Sequence, residues 1–121
     1  MTDDIHIGLC QGRHDIRTNN DEEITDFMFG EVESPLDFQS HHQVVDDWID
    51  NLPKNELYHG CEYTLYLYVT GLTPLLTAFL SRYFSHLIEC ASMNDDYHNI
   101  PVLVLMHYNR DTEKYEEERV S

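Results

Sequence analysis

The sequence predicts an α/β fold: a small Rossmann-like three-layer domain, with a mainly parallel sheet of three strands, a C-terminal antiparallel hairpin strand and two main helices. Three observations carry this. From Tyr63 to Thr70 the residues alternate in character and are rich in aromatic and β-branched types, and the chain then changes to helical spacing up to Ile88. Two more apolar runs, Ile5–Cys10 and Ile100–Met106, read as buried parallel strands. Ser34 to Leu52 reads as a second helix between the first strand and the second. At 121 residues the whole chain, 1–121, makes one domain with a single core.

The first strand, Ile5–Cys10, is apolar enough for the middle of a sheet, and it runs out into Gln11-Gly12-Arg13-His14-Asp15. Asn19-Asn20 marks a turn in the polar stretch that follows. Ile24 to Val32 fits either a short strand or an irregular cover over the core, and as an excursion it could serve as a lid or a dimer contact. The first helix starts with Ser34 as N-cap, Pro35 at its first position and Asp37 as return partner. Val45, Trp48, Ile49 and Leu52 form its apolar stripe, with Phe38 and His41 on the same side and Asp46, Asp47 and Asp50 facing water. Pro53 stops it. His41 and His42 are adjacent, so on a helix they point about 100° apart and do not make a metal pair; no metal site is expected.

Thr70-Gly71-Leu72-Thr73-Pro74 joins the second strand to its helix, with Thr73 as N-cap and Pro74 at the first helical position. Leu76, Phe79, Leu80, Tyr83, Phe84, Leu87 and Ile88 form that helix's apolar face, and Ala91–Asn99 is a polar connection. The third strand ends at His107-Tyr108-Asn109-Arg110, and a turn at Asp111–Lys114 leads into a charged edge strand, Tyr115–Val120.

Charge limits the partners. Twenty-three acidic residues against seven basic ones give −16 at pH 7, which opposes direct DNA or RNA binding and favours a basic protein partner. No apolar run is long enough to span a membrane, and the acidic opening Met1-Thr2-Asp3-Asp4 is not a signal peptide, so a cytosolic protein is expected, in its host cell's cytoplasm. Cys10, Cys61 and Cys90 are odd in number and widely spaced, which reads as reduced, mostly buried thiols.

Three strand ends offer polar groups to one edge of a parallel sheet: Gln11, Gly12, Arg13 and His14; Thr70, Gly71 and Thr73; His107, Asn109 and Arg110. Converging, they would suit a phosphorylated or nucleotide-like ligand, with Arg13 and Arg110 neutralising its charge. The same Thr70, Gly71 and Thr73 are what a well-capped turn requires, and Arg110 could equally brace the hairpin against Glu113 or Glu116. There is no G-x-G-x-x-G and no Walker loop, and no cofactor is indicated. Were the chain an enzyme, His14 and His107 would be its acid and base, in a metal-independent phosphodiesterase.

QGRHD after the first strand, VTGLTP after the second and VLVLMHYN in the third resemble the layout of the CARF-like domains and stand-alone ring nucleases of CRISPR-linked signalling, over roughly three-quarters of the chain. What the resemblance implies is a homodimer holding a cyclic oligoadenylate across a twofold axis. Size and acidity also resemble anti-defence proteins of phages and mobile elements. The expectation is therefore a nucleotide- or cyclic-oligonucleotide-binding protein of phage–host defence, a sponge or a ring nuclease. The alternative is an acidic nucleic-acid mimic that blocks a host CRISPR or restriction nuclease complex, its contact surface formed by Asp21–Glu23, Asp46, Asp47, Asp50, Asp95, Asp96 and Glu116–Glu118. A third option is an interaction domain presenting Tyr58, Tyr66, Tyr68, Tyr97 and Tyr108.

Overall fold

The computed structural model describes residues 4–11, 15–51, 64–70, 73–93 (backbone only for 90–93) and 102–120. The elements are β1 (Ile5–Cys10), β2 (Phe27–Phe29), α1 (Phe38–Asp50), β3 (Thr64–Tyr68), α2 (Thr73–Met93), β4 (Val102–Asn109) and β5 (Lys114–Arg119). They form one five-stranded sheet in the order β2-β1-β3-β4-β5, parallel except for the β4–β5 pair. The expected α/β fold is thus present. The stretch left open at Ile24–Val32 contains a fourth parallel strand, which pairs Gly8 with Phe27 and Cys10 with Phe29.

The layers follow from the order of the strands. From β1 the chain moves to one side to form β2, then crosses back and continues the other way through β3 and β4. Right-handed crossovers in opposite directions lie over opposite faces of a sheet. Accordingly α1 and α2 share one face, where Val45, Ile49, Leu75, Phe79 and Tyr83 pack on Ile7, Leu9, Leu65, Leu67, Leu103 and Leu105. The β1–β2 connection crosses the other face, where Ile16 and Ile24 bury against Tyr68, Val104 and Met106. The third layer is thus a strip of chain rather than a helix. It is tied by an isolated bridge between Arg17 and Glu23 and turns through Asp21, which has a positive φ of 63°. Gly8 lies beneath it: a Cβ there would sit 2.6 Å from the Phe27 ring and 2.9 Å from Ile16 Cδ1.

Several local expectations shift. α1 begins later than Ser34: Asp37 is the N-cap, accepting from the Ser40 N–H at 3.3 Å and from its hydroxyl at 2.8 Å. These bonds hold the Asp37 carboxyl below its ordinary pKa. Ser34 and Pro35 belong instead to a turn closed by the Asp37 N–H on the Ser34 carbonyl, and Phe38 is exposed. Leu52 and Pro53 lie outside the described residues. His41 is buried, its Nε2 donates to the Pro35 carbonyl at 2.8 Å, and its ring edge meets Phe29; among the described residues no group of side chains is suited to hold a metal. Asp46 does not face water. It is half-buried between the helices, accepting from Arg82 Nε at 2.7 Å and His86 Nε2 at 3.0 Å. Burial alone would raise its pKa, but these two donors outweigh it and the net shift is downward.

α2 continues past Ile88 to Met93, into what the sequence suggested was a polar connection. Its innermost line is Leu75, Phe79 and Tyr83, one helical turn apart, and Ile88 is exposed. Tyr68 is buried, not an exposed aromatic. Tyr58, Tyr97, Asp95 and Asp96 lie outside the described residues. Cys10 is buried, its Sγ within 3.6 Å of the Gln11 carbonyl and 3.7 Å of the Gly30 carbonyl. No helix among the described residues is long and apolar enough to cross a membrane.

A candidate ligand cleft at the C-terminal edge of the sheet

The strand order reverses between β1 and β3, and in open α/β sheets ligands bind outside the carboxyl ends of the strands at such a point. Here the two strand ends are pinned together: the buried Thr70 hydroxyl donates to the Cys10 carbonyl at 3.4 Å. An open cleft of about 1020 Å³ begins at Val69 and Thr70 and extends towards the β4–β5 hairpin. The Asp15–Asp21 strip forms one wall, and His107, Tyr108, Arg110, Glu113, Lys114 and Tyr115 form the other.

The sequence-predicted groups divide. Thr70, His107 and Arg110 line the cleft. Gly12, Arg13, His14 and Gly71 lie outside the described residues. Gln11 is exposed at the end of β1, where its N–H donates to the Phe29 carbonyl, and it is not part of the lining. Thr73 is the exposed first residue of α2 and also stands outside the lining.

β4 runs on through His107, Tyr108 and Asn109, each paired with β5, so these are strand residues rather than a loop. Asn109 shapes the hairpin: its Oδ1 accepts from the Asp111 N–H at 2.9 Å and its Nδ2 donates to Glu116 at 3.4 Å. His107 Nε2 donates to Glu118 Oε1 at 2.8 Å across the same pair of strands. That bond orients the imidazole and leaves Nδ1 as its other polar atom.

Charge is distributed unevenly. Arg17, Arg110 and Lys114 line the cleft, three of the chain's seven basic residues. Asp15, Asp21 and Glu113 balance them, so the cleft is locally neutral in a chain carrying −16. Arg17 is committed to Asp21, with a 3.7 Å ion pair and a bond to its carbonyl. Among the described residues Arg110 and Lys114 form no salt bridge, with Glu113, Glu116 or any other carboxylate.

Aromatic rings line the same space. Tyr108 and Tyr115 stand opposite each other on β4 and β5, their ring centroids 5.3 Å apart, and Tyr115 meets Tyr68 at 4.9 Å. Burial pushes the Tyr115 phenol above its ordinary range, and the neighbouring Tyr108 phenol adds to this.

Sequence reasoning missed Arg17, Asn19, Lys114 and the two tyrosines as cleft residues. The wall they complete depends on the β1–β2 crossover passing over the helix-free face, and a parallel reading of Phe27–Phe29 would have placed it there. Comparison of the chain with models of protein families, with curated proteins and with solved structures finds no match, so the functional reading rests on the chain's own geometry.

Proposed function

We propose that this chain binds a phosphorylated small molecule in the cleft beside the β1–β3 reversal. The observation that carries the reading is the gathering of Arg17, Arg110 and Lys114 there, with Arg110 and Lys114 outside any salt bridge among the described residues. In a chain this acidic, two neighbouring cations that form no salt bridge among the described residues suit an anion better than the bare surface does. The volume is near the upper end of the range for small-molecule sites. Cyclic oligoadenylates, which the resemblance to ring nucleases suggests, are among the first compounds to try, with a second copy of the chain completing the site. The nucleic-acid-mimic alternative loses Asp46 from its contact surface, because that carboxylate is spent on Arg82 and His86.

Isothermal titration with ribose 5-phosphate, pyrophosphate, mononucleotides and cyclic oligoadenylates tests the reading. At least one should bind, more weakly as salt rises, and Arg110→Ala with Lys114→Ala should weaken it by about tenfold or more. No heat from any of these compounds, or equal affinity in the double variant, would overturn it.

A further inference from the structure

Phosphate recognition leaves part of the cleft unused. Tyr108 lines it and remains 51% exposed, on the part of β4 that runs past the end of β3 and pairs with β5 alone. An exposed tyrosine is ordinary in itself. Two features set this one apart. Its ring is braced: Tyr115 meets it at an interplanar angle of 65°, and Tyr115 is in turn held edge-on by the fully buried Tyr68. It also stands two residues before Arg110, in the same cleft as Arg110 and Lys114. A braced aromatic ring beside cations that form no salt bridge among the described residues is the combination that recognises a planar base joined to a phosphate, because stacking is available to any base and the cations hold the charge.

Resting on the phosphorylated-ligand reading, we propose that Tyr108 is the base platform of the cleft, and that the ligand class is a nucleotide rather than a sugar phosphate or free phosphate. Stacking on Tyr108 supplies the affinity for the base, and Arg110 and Lys114 hold the phosphate. The main chain of Tyr115 is fixed to Asn19 across the cleft, so the ring that braces Tyr108 does not need to be ordered when the ligand arrives.

The test is titration of the wild type, Tyr108→Ala, Tyr108→Phe and Arg110→Ala with adenosine and uridine monophosphates, the cyclic oligoadenylates, ribose 5-phosphate and pyrophosphate. Wild type should prefer the base-bearing compounds by about tenfold. Tyr108→Ala should abolish that preference while still binding the base-free compounds, Tyr108→Phe should keep it, and Arg110→Ala should weaken every compound. Thermal melts of the variants confirm that each is folded. Equal binding of base-free and base-bearing compounds by wild type, or a preference that survives in Tyr108→Ala, overturns the base platform and leaves the phosphate reading standing. Binding of none of the compounds overturns both.

Discussion

The side-chain amide of Asn19 pairs with the main chain of Tyr115 as a neighbouring strand would: Nδ2 donates to the Tyr115 carbonyl at 3.1 Å, and Oδ1 accepts from the Tyr115 N–H at 3.0 Å. β5 is the edge of the sheet, and this amide satisfies one residue of its open side. It also joins the two walls of the cleft. Asn19→Ala should lower stability by about 1 kcal/mol, read as a lower urea midpoint with an unchanged slope. Asn19→Asp keeps the acceptor but sets a carboxylate against the Tyr115 carbonyl, so it should restore little. Wild-type stability in Asn19→Ala would mean that the walls are held by Ile16 and Ile24 alone.

Gly8 is a packing requirement rather than a turn. A methyl group there overlaps the Phe27 ring and Ile16, so the far layer or β2 has to move. Gly8→Ala should destabilise the domain by about 2 kcal/mol. Hydrogen exchange should show the loss first at the Ile24 N–H, which bonds the Ile16 carbonyl.

Glu113 closes the β4–β5 hairpin with a positive φ of 56°, a region that suits glycine. Glu113→Gly should therefore stabilise the protein by about 0.5–1 kcal/mol in thermal or urea unfolding. It also removes one carboxylate from the cleft wall, so affinity for a phosphorylated ligand should rise in the same variant. A drop in stability would show that the turn relies on the Glu113 side chain.

Tyr68 is buried, with its hydroxyl 2.9 Å from His6 Nδ1. Burial, reinforced by Tyr115 and then Glu117, pushes its pKa up from 10.0 to about 12. The unfolded chain releases this proton more readily than the folded one. The stability linked to Tyr68 is therefore fully present below pH 10 and is lost as pH rises towards about 12. Phenolate absorbance should show part of the tyrosine ionisation delayed beyond pH 10, and Tyr68→Phe should remove its latest step. Ionisation of all tyrosines near pH 10 in the folded protein would contradict it.

The parts of the fold that were legible in the sequence are those where one strong local signal dominates. Ile5–Cys10 announced a central strand by being mostly apolar and free of acidic and basic residues other than His6, and β1 does lie between β2 and β3. Leu65 and Leu67 announced one face of β3 by alternation, and both sit under the helices. The failures share a cause, competition between two adequate local signals. Ser34-Pro35 is a sound helix start, but Asp37 captures Ser40 with two bonds and wins. Asn109 looked like a strand-end ligand, and its short polar side chain finds the turn backbone at Asp111 first. Asp46 reads as a solvated helix residue until α2 brings Arg82 and His86 against it, 36 and 40 residues further along the chain. The cleft was legible only in part because Thr70, His107 and Arg110 sit at strand ends, whereas Arg17 and Asn19 reach it through a crossover that leads into β2, whose three residues are too few to announce a strand.

The strip from Asp15 to Ile24 serves as both layer and wall. Ile16 and Ile24 complete the core on the helix-free face, and between them Arg17, Thr18, Asn19 and Asp21 line the cleft. A compound that grips this wall holds down a structural layer of the domain, so occupancy of the cleft should register as resistance to heat. The melting temperature of the unmodified chain, followed across a library of metabolites, is then a direct way to find what the cleft was shaped to hold.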